Sequence, residues 1–199
     1  VAFYIFTLIM ARMRDMSYSD GLKYIRNLEL LPEQIRWILG HKEQMRDLAK
    51  KYASSENFLF LGRGINYPVA LEGALKLKEI AYIHAEGYCA AEIKHGPIAL
   101  INEKTPSFFL VPDDELRDKV LSNLKEVKAR KGRVIALAVE GDKEVEEIAD
   151  DVFFIPKADE IMYPFLLVVP LQLFAYYCAL ELGRNVDQPR NLAKSVTVE

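Results

Sequence analysis

The chain has 199 residues, 51% of them hydrophobic and 28% charged, with a formal net charge of -3, which suits one globular α/β-sized domain with a sizeable core plus an extra helical element and excludes a second full domain. A mildly acidic balance without a basic block argues against nucleic acid as the main partner, while leaving room for a local anion site. Two distant cysteines, Cys89 and Cys178, and three histidines, His41, His84 and His95, show no ligand-pair spacing, so no disulfide framework and no metal are expected, and a reducing cytoplasm fits.

The chain opens with about ten apolar residues, Val1 to Met10, without a basic region before them or a small-residue cleavage site after. A membrane-spanning helix needs roughly 20, so this run is expected to be the second half of a buried helix whose packing partner lies outside the chain. Ser19 to Lys51 reads as a charged helical arm, with Leu28, Leu30 and Leu31 before Pro32, then Ile35, Ile38 and Leu39 at helical spacing and Gly40 as a stop. Met45, Leu48, Ala49 and Tyr52 mark a further amphipathic helix. Ser54-Ser55-Glu56-Asn57 then leads into the first strand.

That strand is the apolar run Phe58-Leu59-Phe60-Leu61, which stops at Gly62-Arg63-Gly64, and a helix begins at Pro68, a residue favoured in the first helical position. Tyr67 stands where a third glycine would complete a dinucleotide-binding fingerprint, so no such cofactor is expected. Two readings of the turn remain: a tight turn alone, or a helix N-terminus facing a phosphorylated ligand. At 100° per residue, Val69, Ala70, Gly73, Ala74, Leu77, Ile80 and Ala81 share one side of the helix, and Leu71, Leu75 and Tyr82 the other. Between them Glu72, Lys76 and Glu79 stack in a narrow stripe at i, i+4 and i+7. Only Lys78 is polar elsewhere from Val69 to Ile83, so the three charges are expected to enter a largely buried setting together. They read either as a solvated ladder, worth a few tenths of a kcal/mol per pair, or as a proton-transferring carboxylate, Glu79 or Glu72, tuned by Lys76.

His84 to Glu92 holds several small residues, and Lys94-His95-Gly96-Pro97 breaks the pattern before the apolar Ile98 to Ile101. His95 therefore lies at a turn, as a capping residue or as a proton shuttle, since histidine is the side chain whose ordinary pKa is near neutrality. Ser107 to Val111, Val134 to Val139 and Val152 to Ile155 read as strands buried on both faces, separated by the charged helical segments Asp113 to Lys131 and Asp142 to Asp150. This alternation predicts a three-layer α/β domain: a parallel sheet of about five strands with helices on both faces, preceded by a helical N-terminal arm. Ligands in such sheets gather at the carboxyl ends of the strands.

Tyr163 to Leu180 contains no charged residue, but Pro164, Pro170 and Gln172 favour a kinked buried helix over a membrane span, and a soluble protein without a membrane partner is expected. Composition alone makes Gly183 to Glu199 a frayed polar tail.

Three segments carry a resemblance: Ala70-Leu71-Glu72-Gly73-Ala74-Leu75-Lys76-Leu77-Lys78-Glu79 with Tyr82-Ile83-His84-Ala85-Glu86, then Lys94-His95-Gly96-Pro97, and the closing Asp187-Gln188-Pro189-Arg190-Asn191-Leu192-Ala193-Lys194-Ser195-Val196-Thr197-Val198-Glu199. Together they resemble the isomerase half of the glutamine:fructose-6-phosphate amidotransferases, the glucosamine-6-phosphate synthase family, over essentially the whole chain. The strand pattern by itself would indicate only some sugar isomerase (SIS) domain. Cys89 and Ala91 depart from the smaller or glycine residues of that family, a mild packing change.

The resemblance implies an SIS-type fold in which residues 1–51 are the helical tail of a truncated first SIS subdomain and its connector. Residues 52–182 would be the second SIS subdomain, and residues 183–199 a C-terminal active-site tail. It implies that Glu79 moves a proton between C1 and C2 of the open-chain sugar phosphate, that Lys194 engages the fructose 2-carbonyl, and that His95 opens the sugar ring from a neighbouring subunit. Glu72, Lys76 and Ala193 would complete the substrate-binding set. It also implies a cytoplasmic homodimer acting on fructose 6-phosphate and glucosamine 6-phosphate without cofactor or metal. The glutaminase domain and most of the first SIS subdomain, with its Ser/Thr-rich phosphate loop, lie outside this chain. The alternative is a non-catalytic, phosphosugar-binding SIS module, which has no use for Glu79 together with Lys194.

Overall fold

Strand β1 (Asn57–Gly62) alternates Phe58 and Phe60 with Leu59 and Leu61, and all four are buried. Successive strand residues point to opposite faces, so this one run feeds two cores, the phenylalanines one and the leucines the other. The computed structural model, which describes residues 1–192, adds β2 (His84–Cys89), β3 (Ser107–Val111), β4 (Val134–Val139) and β5 (Asp151–Ile155) in the order β2-β1-β3-β4-β5, every neighbour parallel. The expected parallel five-stranded α/β sheet is thus the observed one.

Parallel neighbours require crossovers that return the chain to the amino edge of the sheet. Helix α4 (Tyr67–Lys76) joins β1 to β2, α5 (Arg117–Lys128) joins β3 to β4, and α6 (Lys143–Ile148) joins β4 to β5. Val120, Leu121, Leu124, Val127 and Val145 from α5 and α6 cover the face that bears Leu59 and Leu61. The opposite face is covered by α4 and by α7 (Tyr163–Glu181), backed by α2 (Tyr18–Gly40) and α3 (Lys42–Tyr52). Three layers result, as the strand and helix alternation predicts.

Strand β2 is the element the pattern hid. It lies at the sheet edge, where only Ala85 is fully buried, so His84-Ala85-Glu86-Gly87-Tyr88-Cys89 carries none of the continuous apolar signal of β3 and β4.

The phenylalanine core is built by α7. Phe174 sits edge-on to Phe108 and Phe58 at centroid distances of 4.7 and 5.6 Å, while Phe60 and Phe108 stack at 5.1 Å and 8°. Burying each ring contributes about 1.5–3 kcal/mol relative to leaving it exposed. Gly73 lets α4 approach: a Cβ there would lie 2.7 Å from Leu171 and 3.0 Å from Phe60. The stretch from Glu160 to Glu181 is long and apolar enough to cross a membrane by composition, with a mean hydropathy of 1.6. Leu166, Leu167, Leu171 and Phe174 are instead packed into this core.

In the N-terminal arm, the Ser17 hydroxyl accepts the Asp20 N–H at 3.1 Å and caps α2, which carries Pro32 inside it. The apolar opening run forms helix α1 (Ala2–Arg12), none of whose residues is buried against the rest of the described chain, Phe3 being 87% exposed. Tyr4 holds it, its hydroxyl donating to the Tyr24 carbonyl at 3.2 Å and its ring edge-on to Phe165 at 6.0 Å. The apolar run is a helix, but the other described residues do not enclose it.

Candidate active site

Helix α4 starts at the carboxyl end of β1, beside Gly62-Arg63-Gly64, and runs back toward the amino end, where β2 begins. At 1.5 Å per residue, Tyr67 and Glu79 are separated by about 18 Å along the axis. The glycine turn and the charge stripe are therefore two places.

The turn closes on itself. A Cβ at position 62 would lie 2.4 Å from the Asn66 carbonyl oxygen, so only glycine fits there. Asn66, 1% exposed, donates from Nδ2 to Asp114 at 3.1 Å, and Asp114 also accepts the Leu116 N–H at 2.9 Å. These bonds bridge the ends of β1 and β3, the sheet's topological switch point. Burial pushes the Asp114 carboxyl up, and burial together with Asp114, Glu115 and Asp159 pushes Glu160 up. Arg63 stands in the same turn as a cation beside these acids, and both readings of the turn stay open.

The charge stripe gathers at the other end. Helix α4 passes into one π turn, Leu77–Ala81, which carries Glu79; such turns are frequent at functional sites. Lys76 Nζ reaches Glu79 Oε2 at 2.5 Å and Glu72 Oε1 at 3.7 Å. The bond to Glu79 holds the Lys76 ammonium above its ordinary pKa, with burial opposing and Glu72 adding to the rise. The side chains of Glu72, Lys76 and Glu79 are 36, 30 and 27% exposed. The setting is half-buried rather than largely buried, because the side of α4 bearing Leu71 and Leu75 faces solvent.

Lys76 and Ile80 form one wall of a cleft of about 400 Å³, with Leu173 and Tyr176 of α7 and Val186 and Asp187 of the C-terminal segment opposite. A larger cleft, about 520 Å³, lies at the amino ends of β1 and β3 among Ser54, Asn57, Asn102 and Lys104. None of the three stacked charges lines it, and its Asn102 side chain is already bonded to Leu100, Lys104 and Thr105. Of the three, Lys76 lines the smaller cleft.

The polar tail is not frayed as far as it is described. The Arg190 backbone N–H donates to the Tyr82 hydroxyl at 2.8 Å, which returns the segment to the end of the turn bearing Glu79. Ala193 and Lys194 lie outside the described residues. His95 ends a 3₁₀ turn, Ala90–His95, beyond the carboxyl end of β2, 74% exposed and 3.9 Å from Glu92. Six residues of β2, about 20 Å, separate it from the region of Glu79. The structure thus groups Glu72, Lys76 and Glu79 with the C-terminal segment and sets His95 apart.

The sequence profile of the SIS domain matches residues 51–182. This chain belongs to the SIS domain family. Over all 199 residues it is 50% identical to an isomerizing glutamine–fructose-6-phosphate aminotransferase of Chlorobaculum tepidum, covering 32% of that protein. Over 187 residues, 94% of the chain, it is 56% identical to the aminotransferase of the same name from Aquifex aeolicus, covering 31% of it. The SIS chain thus spans about a third of the length of these curated relatives. The solved C-terminal domain of glucosamine-fructose-6-phosphate aminotransferase from Francisella tularensis superposes with a TM-score of 0.87 at 38% identity, over 92% of this chain and 52% of that one. The resemblance drawn from the motifs is the one these comparisons return.

Proposed function

We propose that this SIS chain is the C-terminal isomerase segment of an enzyme that converts fructose 6-phosphate and glutamine into glucosamine 6-phosphate and glutamate. In this reading residues 1–51 are the tail of a preceding SIS subdomain and its connector, residues 52–182 a second SIS subdomain, and residues 183–199 the tail that completes the site. The glutaminase domain and the phosphate-holding loop belong to the remainder of the enzyme, a cytoplasmic homodimer.

The reaction needs a carboxylate beside C1 and C2. Withdrawing a proton from C1 of the C2 imine gives an enolamine, and returning a proton to C2 leaves an aldehyde at C1 and an amine at C2. Glu79 is assigned this transfer, with Lys76 and Glu72 fixing its position. Lys194, which forms an imine with the 2-carbonyl with loss of water and is then displaced by the ammonia that glutamine supplies, regenerating its amine and leaving the C2 imine on which the proton moves, needs desolvation to be nucleophilic near neutral pH. His95 opens the sugar ring from the partner subunit, and Ala193 is assigned to substrate binding.

One observation carries this reading: the segment leading to Lys194 is bonded at Arg190 to Tyr82, three residues past Glu79. Lys194 follows Arg190 by four residues, and a stretch of that length spans at most about 14 Å. The test is Glu79→Gln in the complete aminotransferase. Formation of glucosamine 6-phosphate is expected to fall about 10²- to 10⁴-fold, with the melting temperature and glutamine hydrolysis retained. Full synthetic activity in that variant removes Glu79 from its role and favours a non-catalytic phosphosugar module.

A further inference from the structure

Tyr82 follows the π turn in the left-handed conformation, φ 59° and ψ 29°. Glycine is the default residue there, and asparagine the usual alternative; a bulky aromatic side chain is an outlier. Outliers of this kind persist where the surroundings over-determine them, and they cluster at functional sites.

The surroundings here are the C-terminal segment. The Tyr82 hydroxyl accepts the Arg190 N–H at 2.8 Å. Its ring lies 4.2 Å from the Arg190 guanidinium and 5.5 Å from that of Arg184, both within cation–π range. Among the described residues this is the only hydrogen bond from the segment Gly183–Leu192 to the SIS domain before α7, the others being short-range. Tyr82 thus has a fixed place on the turn that carries Glu79, and it grips the segment that carries Lys194.

We infer that Tyr82 is a positioning residue: a latch that seats the C-terminal segment against the Glu79 turn, so that carboxylate and amine address the same sugar phosphate. The inference rests on the function proposed above. The left-handed backbone directs the ring toward the returning segment, the hydroxyl sets its register at Arg190, and the two guanidinium groups cover the ring. Tyr82 touches no reacting atom in this account; it acts through the placement of Lys194.

The experiment is made in the complete aminotransferase, with Tyr82→Phe, which removes only the hydroxyl, and Tyr82→Leu, which removes the ring as well. Loss of the hydrogen bond is expected to lower kcat for glucosamine 6-phosphate formation about three- to tenfold, and loss of the ring about a hundredfold. KM for fructose 6-phosphate stays within about twofold, and the melting temperature within about two degrees. In the 199-residue chain, hydrogen exchange at the Arg190 amide accelerates in Tyr82→Phe. Arg190→Lys, which keeps the amide and a cation, retains activity near wild type.

Lys194→Ala in the same enzyme separates the two levels. If it abolishes synthesis while both Tyr82 variants keep kcat within twofold, the latch is wrong and the proposed function stands. If Lys194→Ala stays active, the proposed function fails and the latch falls with it. A kcat loss that only tracks loss of folded protein also overturns the latch, leaving Tyr82 a plain structural contact.

Discussion

Glu79 and His95 stand at opposite ends of strand β2, the carboxylate in the π turn before its first residue and the imidazole at the end of the 3₁₀ turn after its last. A strand of six residues is about 20 Å long, and hydrogen-bond-range catalysis needs about 3 Å. A substrate that required both would have to draw them from two chains.

Complementation between subunits tests this separation. In the complete aminotransferase, Glu79→Gln and His95→Asn should each be inactive in synthesis. A mixed dimer has one site with both substitutions and one with neither. Random co-assembly should therefore restore about a quarter of wild-type activity, half the dimers being mixed and half their sites intact. If both residues served the same subunit's site, no site in the mixed dimer would be whole, and co-expression would restore nothing.

Acid stability follows from three carboxyls. Burial alone would raise Asp150, but Lys128 Nζ at 2.7 Å and the Val134 N–H at 2.7 Å bring it below its ordinary value. Burial is likewise outweighed at Asp142 by Arg117, and Asp159 is lowered first by its bond to Lys23. A carboxyl depressed in the folded state contributes stability above its unfolded pKa and loses it as pH falls through the folded one. The melting temperature should thus be flat from about pH 7 to 5 and drop below about pH 4. Asp150→Asn should cost about 1 kcal/mol at neutral pH, and the gap to wild type should close as pH falls through the folded Asp150 pKa, below the ordinary 3.8. A gap independent of pH would mean that the Asp150 charge is not what binds Lys128 and Val134.

The layers were legible because β1, β3 and β4 are buried on both faces, and a doubly buried strand has little choice but to be apolar. Three features were not. Strand β2 is an edge strand whose partner-facing backbone does the pairing whatever its side chains are, so His84-Ala85-Glu86-Gly87-Tyr88-Cys89 gave no periodic signal. The π turn adds one residue per turn at Leu77–Ala81, a backbone event that no side chain there announces, and it makes Tyr82 a left-handed terminus instead of a residue on the helix's outer side. The cleft lined by Lys76 was the third, because it forms among helices and a C-terminal segment that are remote in sequence. The charge stripe itself was readable because i, i+4, i+7 spacing fixes a helix face, though spacing alone does not fix how deeply that face is buried.

Lys76 decides between the ladder and the catalytic reading of that stripe. As a ladder, its bonds to Glu79 and Glu72 on a half-exposed surface contribute about 0.2–1 kcal/mol, so Lys76→Met should shift the melting temperature by only a few degrees in either reading. The Lys76 pKa is raised in the fold, so this small stabilisation is fully present at neutral pH and is lost only as pH rises through the folded value, above the ordinary 10.5. A stability measurement near pH 7 therefore reads the whole of it. Activity responds differently, because without Nζ the Glu79 carboxylate has lost its one side-chain hydrogen-bond partner among the described residues and swings among its rotamers. If Glu79 transfers the proton, that misplacement should lower kcat about tenfold to a hundredfold with the fold intact, and Lys76→Arg should recover part of the loss. A variant with the small stability cost and unchanged kcat would return the stripe to an ordinary solvated ladder.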